Sequence, residues 1–311
     1  MEFLLSSALI VFGLILFETV SGIDNAVINA EVLSTMSQKA RRWFLTWGIF
    51  FAVFVVRGLL PWLIVWAALP GVGFVEAFTA TFSNDPAVAG AIQKAAPILL
   101  MGGGIFLLFL FLHWLFLEPK NYGLRGEAYF EKKGVWFFAI ASVALTTLVW
   151  QALKINPMIA FGAVVGSTAF FITHGFRQQA EEAEQNLVGS NMSDISKIMY
   201  LEVIDLSFSI DGVLGSFAFT LAVPLILIGN GIGALVVRQL TVSNVERVKR
   251  YKYLKNGAMY SVLVLSLVMI GHGLGAHIPE WFSPVVTLAI IGYFLWKSRK
   301  DLREDLAAIA S

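Results

Sequence analysis

Residues 17–30 read FETVSGIDNAVINA, and they follow LLSSALIVFGLIL at 4–16. The upstream run is apolar enough to enter a bilayer, yet it leads straight into Glu18, Asp24 and Asn25, with Ser21 and Gly22 between them. A carboxylate in hydrocarbon is costly and marks function by default. The chain therefore places a polar device inside a membrane helix, or neutralises these acids with a partner from elsewhere.

Composition supports the membrane setting. The 311 residues are 58% hydrophobic and 14% charged, with a net charge of +1, whereas soluble domains carry about 25% charged residues. There are no cysteines, which removes disulfides, thiolate metal sites and cysteine nucleophiles. The N-terminus has neither a basic n-region nor an A-x-A cleavage site, so it reads as a retained first helix.

A crossing needs about 20 mostly apolar residues. Nine stretches qualify, at 3–33, 43–69, 95–117, 134–152, 157–174, 197–217, 220–238, 256–276 and 281–297. Pro224 near the join of the sixth and seventh predicts a tight hairpin. With the N-terminus outside, 19 of the 22 Lys and Arg fall on the inner side, Arg177 and Lys197 among them. Lys94 and Lys154 fall outside, and Arg57 lies within the second span. That asymmetry predicts an N-out, C-in topology. The polar segment 175–196 reads as a flexible or regulatory inner loop.

The opening motif has a second copy. In YLEVIDLSFSIDGVLGSF, residues 200–217, Glu202, Asp205 and Asp211 again interrupt an apolar span. ETVSGIDN (18–25) lies over DLSFSIDG (205–212), acid on acid at both ends, and VVRG (55–58) echoes VVRQ (236–239). This is an internal repeat of three spans. Its copies run in opposite directions through the membrane, and inverted repeats with interrupted helices mark transporters. The units are expected at 1–117 and 195–280, flanking an inserted helix pair and loop at 118–194 and followed by a final helix and basic tail at 281–311.

Acids six residues apart point about 120° away from each other on a regular helix. Unwinding at Ser21-Gly22 and at Ser207-Phe208-Ser209 would redirect them and free backbone carbonyls, a geometry tolerated at membrane depth only around a cavity or inside protein. The candidate ligands are Glu18, Asp24, Asn25, Asp205 and Asp211. Glu202, Ser21, Ser209, Asn29 and Asn230 are further candidates, and Arg57 is the candidate counter-charge. All the ligands are oxygen donors, which suits Mg²⁺, Ca²⁺ and Mn²⁺. Four carboxylates exceed what one divalent ion neutralises, so protons could exchange for metal. The bland readings are structural pairing and helix capping for the acids, interhelical hydrogen bonding for Asn230, and packing for His113 and His272. Met101-Gly102-Gly103-Gly104 predicts close helix contact. RVKRYKY (247–253) enforces topology and touches anionic lipid. Nothing supports nucleic-acid binding.

FETVSGIDN with EVIDLSFSID (202–211) resembles the TerC family of integral membrane proteins, over about 1–117 and 195–297. The resemblance implies a multi-pass protein of the bacterial inner (plasma) membrane that exports Mn²⁺, with Glu18, Asp24, Asn25, Asp205 and Asp211 as its site. It implies no prosthetic group, no enzymatic activity and a metal-ion substrate; a homo-oligomer is compatible with it. The chain departs from the pattern in its extra helices and in Gly212, where the family commonly has Ser. Without the resemblance, the residues reach a divalent-cation transporter in an all-α polytopic fold. An accessory scaffold of metal or tellurite stress and a membrane metalloenzyme remain open beside it.

Overall fold

The computed structural model describes residues 2–48, 50–51, 86–120, 126–188, 193–243 and 250–310, with 59, 62, 63, 66, 73, 123 and 124 besides. Arg57, most of the expected second span, and the side chains of Asp24 and Asn25 lie outside the described residues. Every described element is helical. In chain order they are α1 (Glu2–Ser21), α2 (Ile23–Ser34), α3 (Gln38–Trp43), a π-helical turn (Phe44–Gly48) and α4 (Pro86–Leu117). Then come α5 (Glu127–Glu131), α6 (Trp136–Ile155), α7 (Pro157–Val188), α8 (Asp194–Ser216), α9 (Val223–Ser243), α10 (Leu254–Gly273) and α11 (Phe282–Ala310). This is an all-α polytopic membrane protein.

Among the described residues six helices are long and apolar enough to cross a membrane: Leu4–Ser21, Lys94–Leu117, Trp136–Ile155, Pro157–Gln179, Val223–Leu240 and Leu254–Gly273. Two more expected spans are helices of less apolar make-up. α8 covers all but the last residue of 197–217 and carries Glu202, Asp205 and Asp211, and α11 covers all but the first residue of 281–297. The hairpin between α8 and α9 forms as expected, with Pro224 in the first turn of α9, where its missing N–H costs nothing.

α1 lies against α9, α10 and α11, and α4 is enclosed between α10 and α7. The buried core gathers Leu14, Phe17, Met101, Ile105, Phe106 and Phe219 with their neighbours. Among the six described candidate spans α6 is the least buried, and it exposes Trp136, Phe138, Val143 and Trp150, as a lipid-facing surface does. The glycine run in α4 is a packing seam. A Cβ at Gly102 would lie 2.9 Å from the Gly162 carbonyl oxygen of α7, and one at Gly104 would lie 2.7 Å from Ile270 Cγ1 of α10.

Three expectations are not met as stated. The first concerns Ser21-Gly22, where the helix is interrupted between α1 and α2, with Gly22 at φ −79° and ψ −1°, yet no unwound turn opens. The Gly22 amide still donates to Glu18 O (3.0 Å) and Ala26 still donates to Gly22 O (2.9 Å). Glycine stands there because α9 presses against it: a Cβ would lie 2.8 Å from Val237 Cγ2. The second concerns 207–209, which α8 passes through unbroken, so no carbonyls are released there. Ser209 Oγ instead donates to Asp205 O (2.6 Å), the back-bond that lets serine persist in a helix. The third concerns 175–196, which is mostly helix: α7 runs to Val188 and α8 begins at Asp194, capped by Ser193. Arg177 is consequently a helix residue, not a loop cation.

One end of α8 is fastened to the α2–α3 junction. Asp194 Oδ2 accepts from Ser37 Oγ (2.5 Å) and Asp194 Oδ1 accepts from the Ser37 amide (3.3 Å). Lys197 Nζ donates to Thr35 Oγ1 (2.9 Å) and Thr35 O (3.3 Å). Each charge meets the helix end that favours it: the carboxylate at the N-terminus of α3, the ammonium at the C-terminus of α2.

Candidate functional site

The acid-bearing helices cross antiparallel. Near one end of the crossing, Glu18 of α1 lies against Gly212 of α8; near the other, Asn29 of α2 bonds Asp205 of α8. Glu18 is 2% exposed and wedged between two glycines. A Cβ at Gly212 would stand 2.6 Å from Glu18 Oε2, and one at Gly233 of α9 would stand 2.6 Å from Glu18 Cβ. Both glycines are there to let helices close around a carboxylate.

Asn29 Nδ2 donates to Asp205 Oδ1 (3.1 Å), and both residues are buried. That bond fixes the amide and leaves Asn29 Oδ1 buried without a hydrogen-bond partner among the described residues. One turn before Asp205, both carboxylate oxygens of Glu202 are likewise buried and partnerless there. Glu202 packs beside Gly48, where a Cβ would lie 2.5 Å from Glu202 Oε1. Buried polar atoms are normally satisfied. This small region around Asp205 therefore concentrates unmet oxygen acceptors.

The other candidates divide. Asn230 of α9, fully buried, accepts from Ser216 Oγ (3.0 Å), and its Nδ2 has no partner among the described residues. Ser21 Oγ donates back to Glu18 O (3.3 Å) and Ser209 bonds its own helix. Asp211 does not join Asp205 or Glu202. It is paired with Arg177 of α7 at 2.5 Å, with both side chains 16% exposed. Among the described residues no three Asp, Glu or His side chains gather closely enough to hold one metal ion together.

Asp211 faces a cavity of about 460 Å³. Ser21, His113, Glu118, His174, Arg177 and Lys255 share its lining. His113 packs on Phe137 and Phe170, as a packing histidine does, but it also meets His174 with ring centroids 3.9 Å apart. His272, the other histidine read as packing, bonds the Ile278 backbone through Nε2 (3.0 Å to the carbonyl oxygen). At the cavity mouth Lys255 Nζ lies 2.7 Å from Glu118 Oε2. Burial pushes the Glu118 carboxyl up, but Lys255 with its hydrogen bond pulls it further down, to below its ordinary value.

Sequence reasoning missed Arg177, His174 and a buried carboxylate, Glu127. Glu127 accepts from Asn256 Nδ2 (2.7 Å) and Tyr260 Oη (3.0 Å), which anchors α5 onto α10. A signal for Arg177 was present in the sequence. Ile159, Ala163, Gly166, Phe170 and His174 recur at three- and four-residue steps, and Arg177 is the next member of that stripe.

Comparison with known proteins places the chain without giving its activity. The family described as "Protein of unknown function (DUF475)" matches residues 23–305, from α2 into α11. The chain is similar to the "Uncharacterized membrane protein YceF" of Bacillus subtilis (strain 168), at 27% identity over 117 residues. That match covers 36% of this chain and 45% of the relative, so the chain spans just under half the length of the curated protein it matches. No solved structure matches it. The family match runs through both crossing helices and through the helix that carries Arg177, and this all-helical membrane protein belongs to the DUF475 family.

Proposed function

We propose that the chain is a secondary transporter that exports a divalent cation, Mn²⁺ first among the candidates, in exchange for protons. One observation carries the reading. Where α2 and α8 cross, Glu202 Oε1, Glu202 Oε2 and Asn29 Oδ1 are buried acceptors without hydrogen-bond partners among the described residues, beside the Asp205 carboxylate. Oxygen atoms of this kind suit a hard divalent ion, which would supply the missing interactions. The sequence candidates Asp24 and Asn25 lie on α2, and Glu18 lies on α1, which leads into it.

The antiparallel crossing supports an inverted repeat. Under the alignment of 18–25 with 205–212, Glu18 corresponds to Asp205 and Asn29 to Ser216. Each acid meets the other copy's helix: Glu18 at Gly212, the last residue of the second motif, and Asp205 at Asn29, four residues past the first. The resemblance to TerC proteins points to manganese. Gly212 stands where that pattern commonly has Ser, and here the Glu18 carboxylate occupies the room a side chain would need. The bacterial plasma membrane, the N-out orientation and the lack of enzymatic activity belong to the same reading.

The test is Mn²⁺ flux in proteoliposomes under an imposed pH gradient, with Mg²⁺, Ca²⁺ and Zn²⁺ as competitors. Wild type is expected to move Mn²⁺, and Asp205→Asn and Glu202→Gln are expected to lose flux while eluting as monodisperse protein. Flux that ignores the pH gradient removes proton exchange. Folded wild type that moves no Mn²⁺ in either gradient direction removes the transport reading.

A further inference from the structure

The geometry points to Arg177 as the fixed counter-charge of the acidic site: α7 inserts this guanidinium onto Asp211 and withdraws that carboxylate from the set that holds the cargo. The inference rests on the transport reading and deepens it. It gives the helix pair between the repeated units a part in the site.

Three observations support it. The first is the pairing itself. Arg177 Nη2 lies 2.5 Å from Asp211 Oδ2, and at 16% exposure neither side chain is open to bulk water. A guanidinium stays charged at any pH the protein meets, whereas an ammonium can lose its proton when desolvated. Arg177 is therefore a permanent charge and not a proton carrier.

The second is how α7 is held. A Cβ at Gly162 would lie 2.5 Å from Ile98 O of α4, and one at Gly166 would run into Gly102 of α4. Backbone lies on backbone along this seam. Ala163 and Phe170 continue the same buried stripe, at 0% and 1% exposure. The seam sets the height of α7 against the bundle, and Arg177, two turns beyond Phe170 on that stripe, arrives at Asp211 by registry.

The third is charge balance. Glu18, Asp24, Asp205 and Asp211 bring four carboxylates to the crossing helices, and Glu202 adds a fifth. A divalent ion offsets two. The counter-charge expected from the sequence, Arg57, lies outside the described residues. Arg177 is a cation in direct contact with one of these acids, and once it is paired with Asp211 the site presents one negative charge fewer. Cargo oxygens then come from the region around Asp205, where Asn29 and Glu202 also stand. Asp211 positions and balances; it does not ligate.

The experiment is a double-mutant cycle on the full chain, comparing wild type, Arg177→Gln, Asp211→Asn and the Arg177→Gln/Asp211→Asn pair, with Arg177→Lys as the conservative variant. Two measurements are made: the initial rate of Mn²⁺ flux in proteoliposomes across a range of Mn²⁺ concentrations, which also gives the apparent affinity, and the melting temperature in detergent. Asp211→Asn takes the carboxylate charge away from Arg177, and removing one partner of a buried pair is the costly step, so its flux is expected to fall roughly tenfold or more. Arg177→Gln is expected to lower the melting temperature and to raise the apparent affinity for Mn²⁺, because it restores a negative charge. The double variant deletes the pair as a unit and is expected to recover most of the flux that Asp211→Asn loses.

A double variant as inactive as Asp211→Asn, with its melting temperature recovered, overturns the inference and makes Asp211 a cargo ligand. Additive melting shifts without coupling also overturn it, since the pair is then not formed. Failure of the transport reading looks different. Wild type is then silent, and melting alone decides the pair: coupled shifts uphold it and additive shifts refute it.

Discussion

Alanine at Gly212 measures how firmly the crossing helices grip Glu18. The new Cβ would stand 2.6 Å from Glu18 Oε2. Ordinary contact begins near 3.4 Å, so the carboxylate would have to retreat by roughly 0.8 Å. Glu18 has nowhere to go, because α9 lies against its stem at Gly233 and the residue is 2% exposed. Overpacking of this kind costs about 1–3 kcal/mol. Alanine returns about 1 kcal/mol over glycine in a helix. The net loss is about 0–2 kcal/mol, and at about 2–4 °C per kcal/mol it lowers the melting temperature by up to several degrees. The sharper number is the difference between backgrounds. With Glu18→Ala already present, the three atoms nearest the new Cβ are gone, and Gly212→Ala is expected to stabilise by about 1 kcal/mol through propensity. The two backgrounds should therefore differ by about 1–3 kcal/mol, read by tryptophan-fluorescence melting of the four purified proteins. An equal shift from Gly212→Ala in both backgrounds would refute the wedge.

Gly166→Ala is expected to destabilise by about 1–3 kcal/mol, since its Cβ meets Gly102 backbone, which cannot rotate away; melting beside the control Gly175→Ala, where a Cβ meets nothing, checks it. Glu118 makes stability fall in acid. Its folded carboxyl titrates below the ordinary 4.5, so its pairing with Lys255 contributes fully above that value and is lost as pH falls through the lower one. Glu118→Gln is expected to flatten melting temperature against pH below about 4.5, and an unchanged slope would exclude the pair as a cause. Asp194 acts with the same sign, because the Ser37 hydroxyl and amide hold its carboxyl below the ordinary 3.8; Asp194→Asn is expected to remove that share of the acid sensitivity.

Spans and hairpins were legible because apolar runs of about 20 residues and a proline at a join have one economical outcome in a bilayer. The acidic motifs were legible as a pair on two helices that pack together, where Asn29 bonds Asp205, whereas Asp211 pairs with Arg177. What failed was the local backbone. Ser21-Gly22 reads as a break from propensity, but tertiary packing explains the glycine: Val237 needs the room. Ser207 and Ser209 read the same way, yet a serine that bonds the preceding turn can stay helical, as Ser209 does with Asp205 O. The counter-charge to Asp211 was sought in the repeated unit because Arg57 was visibly intramembrane. Arg177 looked like a loop residue because polar composition after 175 suggested a loop, whereas α7 continues to Val188. Hydropathy locates where apolar character ends, and a helix can extend past that point.

The clasp at Ser37–Asp194 and Thr35–Lys197 fixes one end of α8 with four hydrogen bonds. Toward the other end Asp211 is paired with Arg177 of α7, and Ser216 Oγ donates to Asn230 of α9. α8 is thus a beam supported at both ends, and Asp205, with the acceptors around it, sits on the span between the supports.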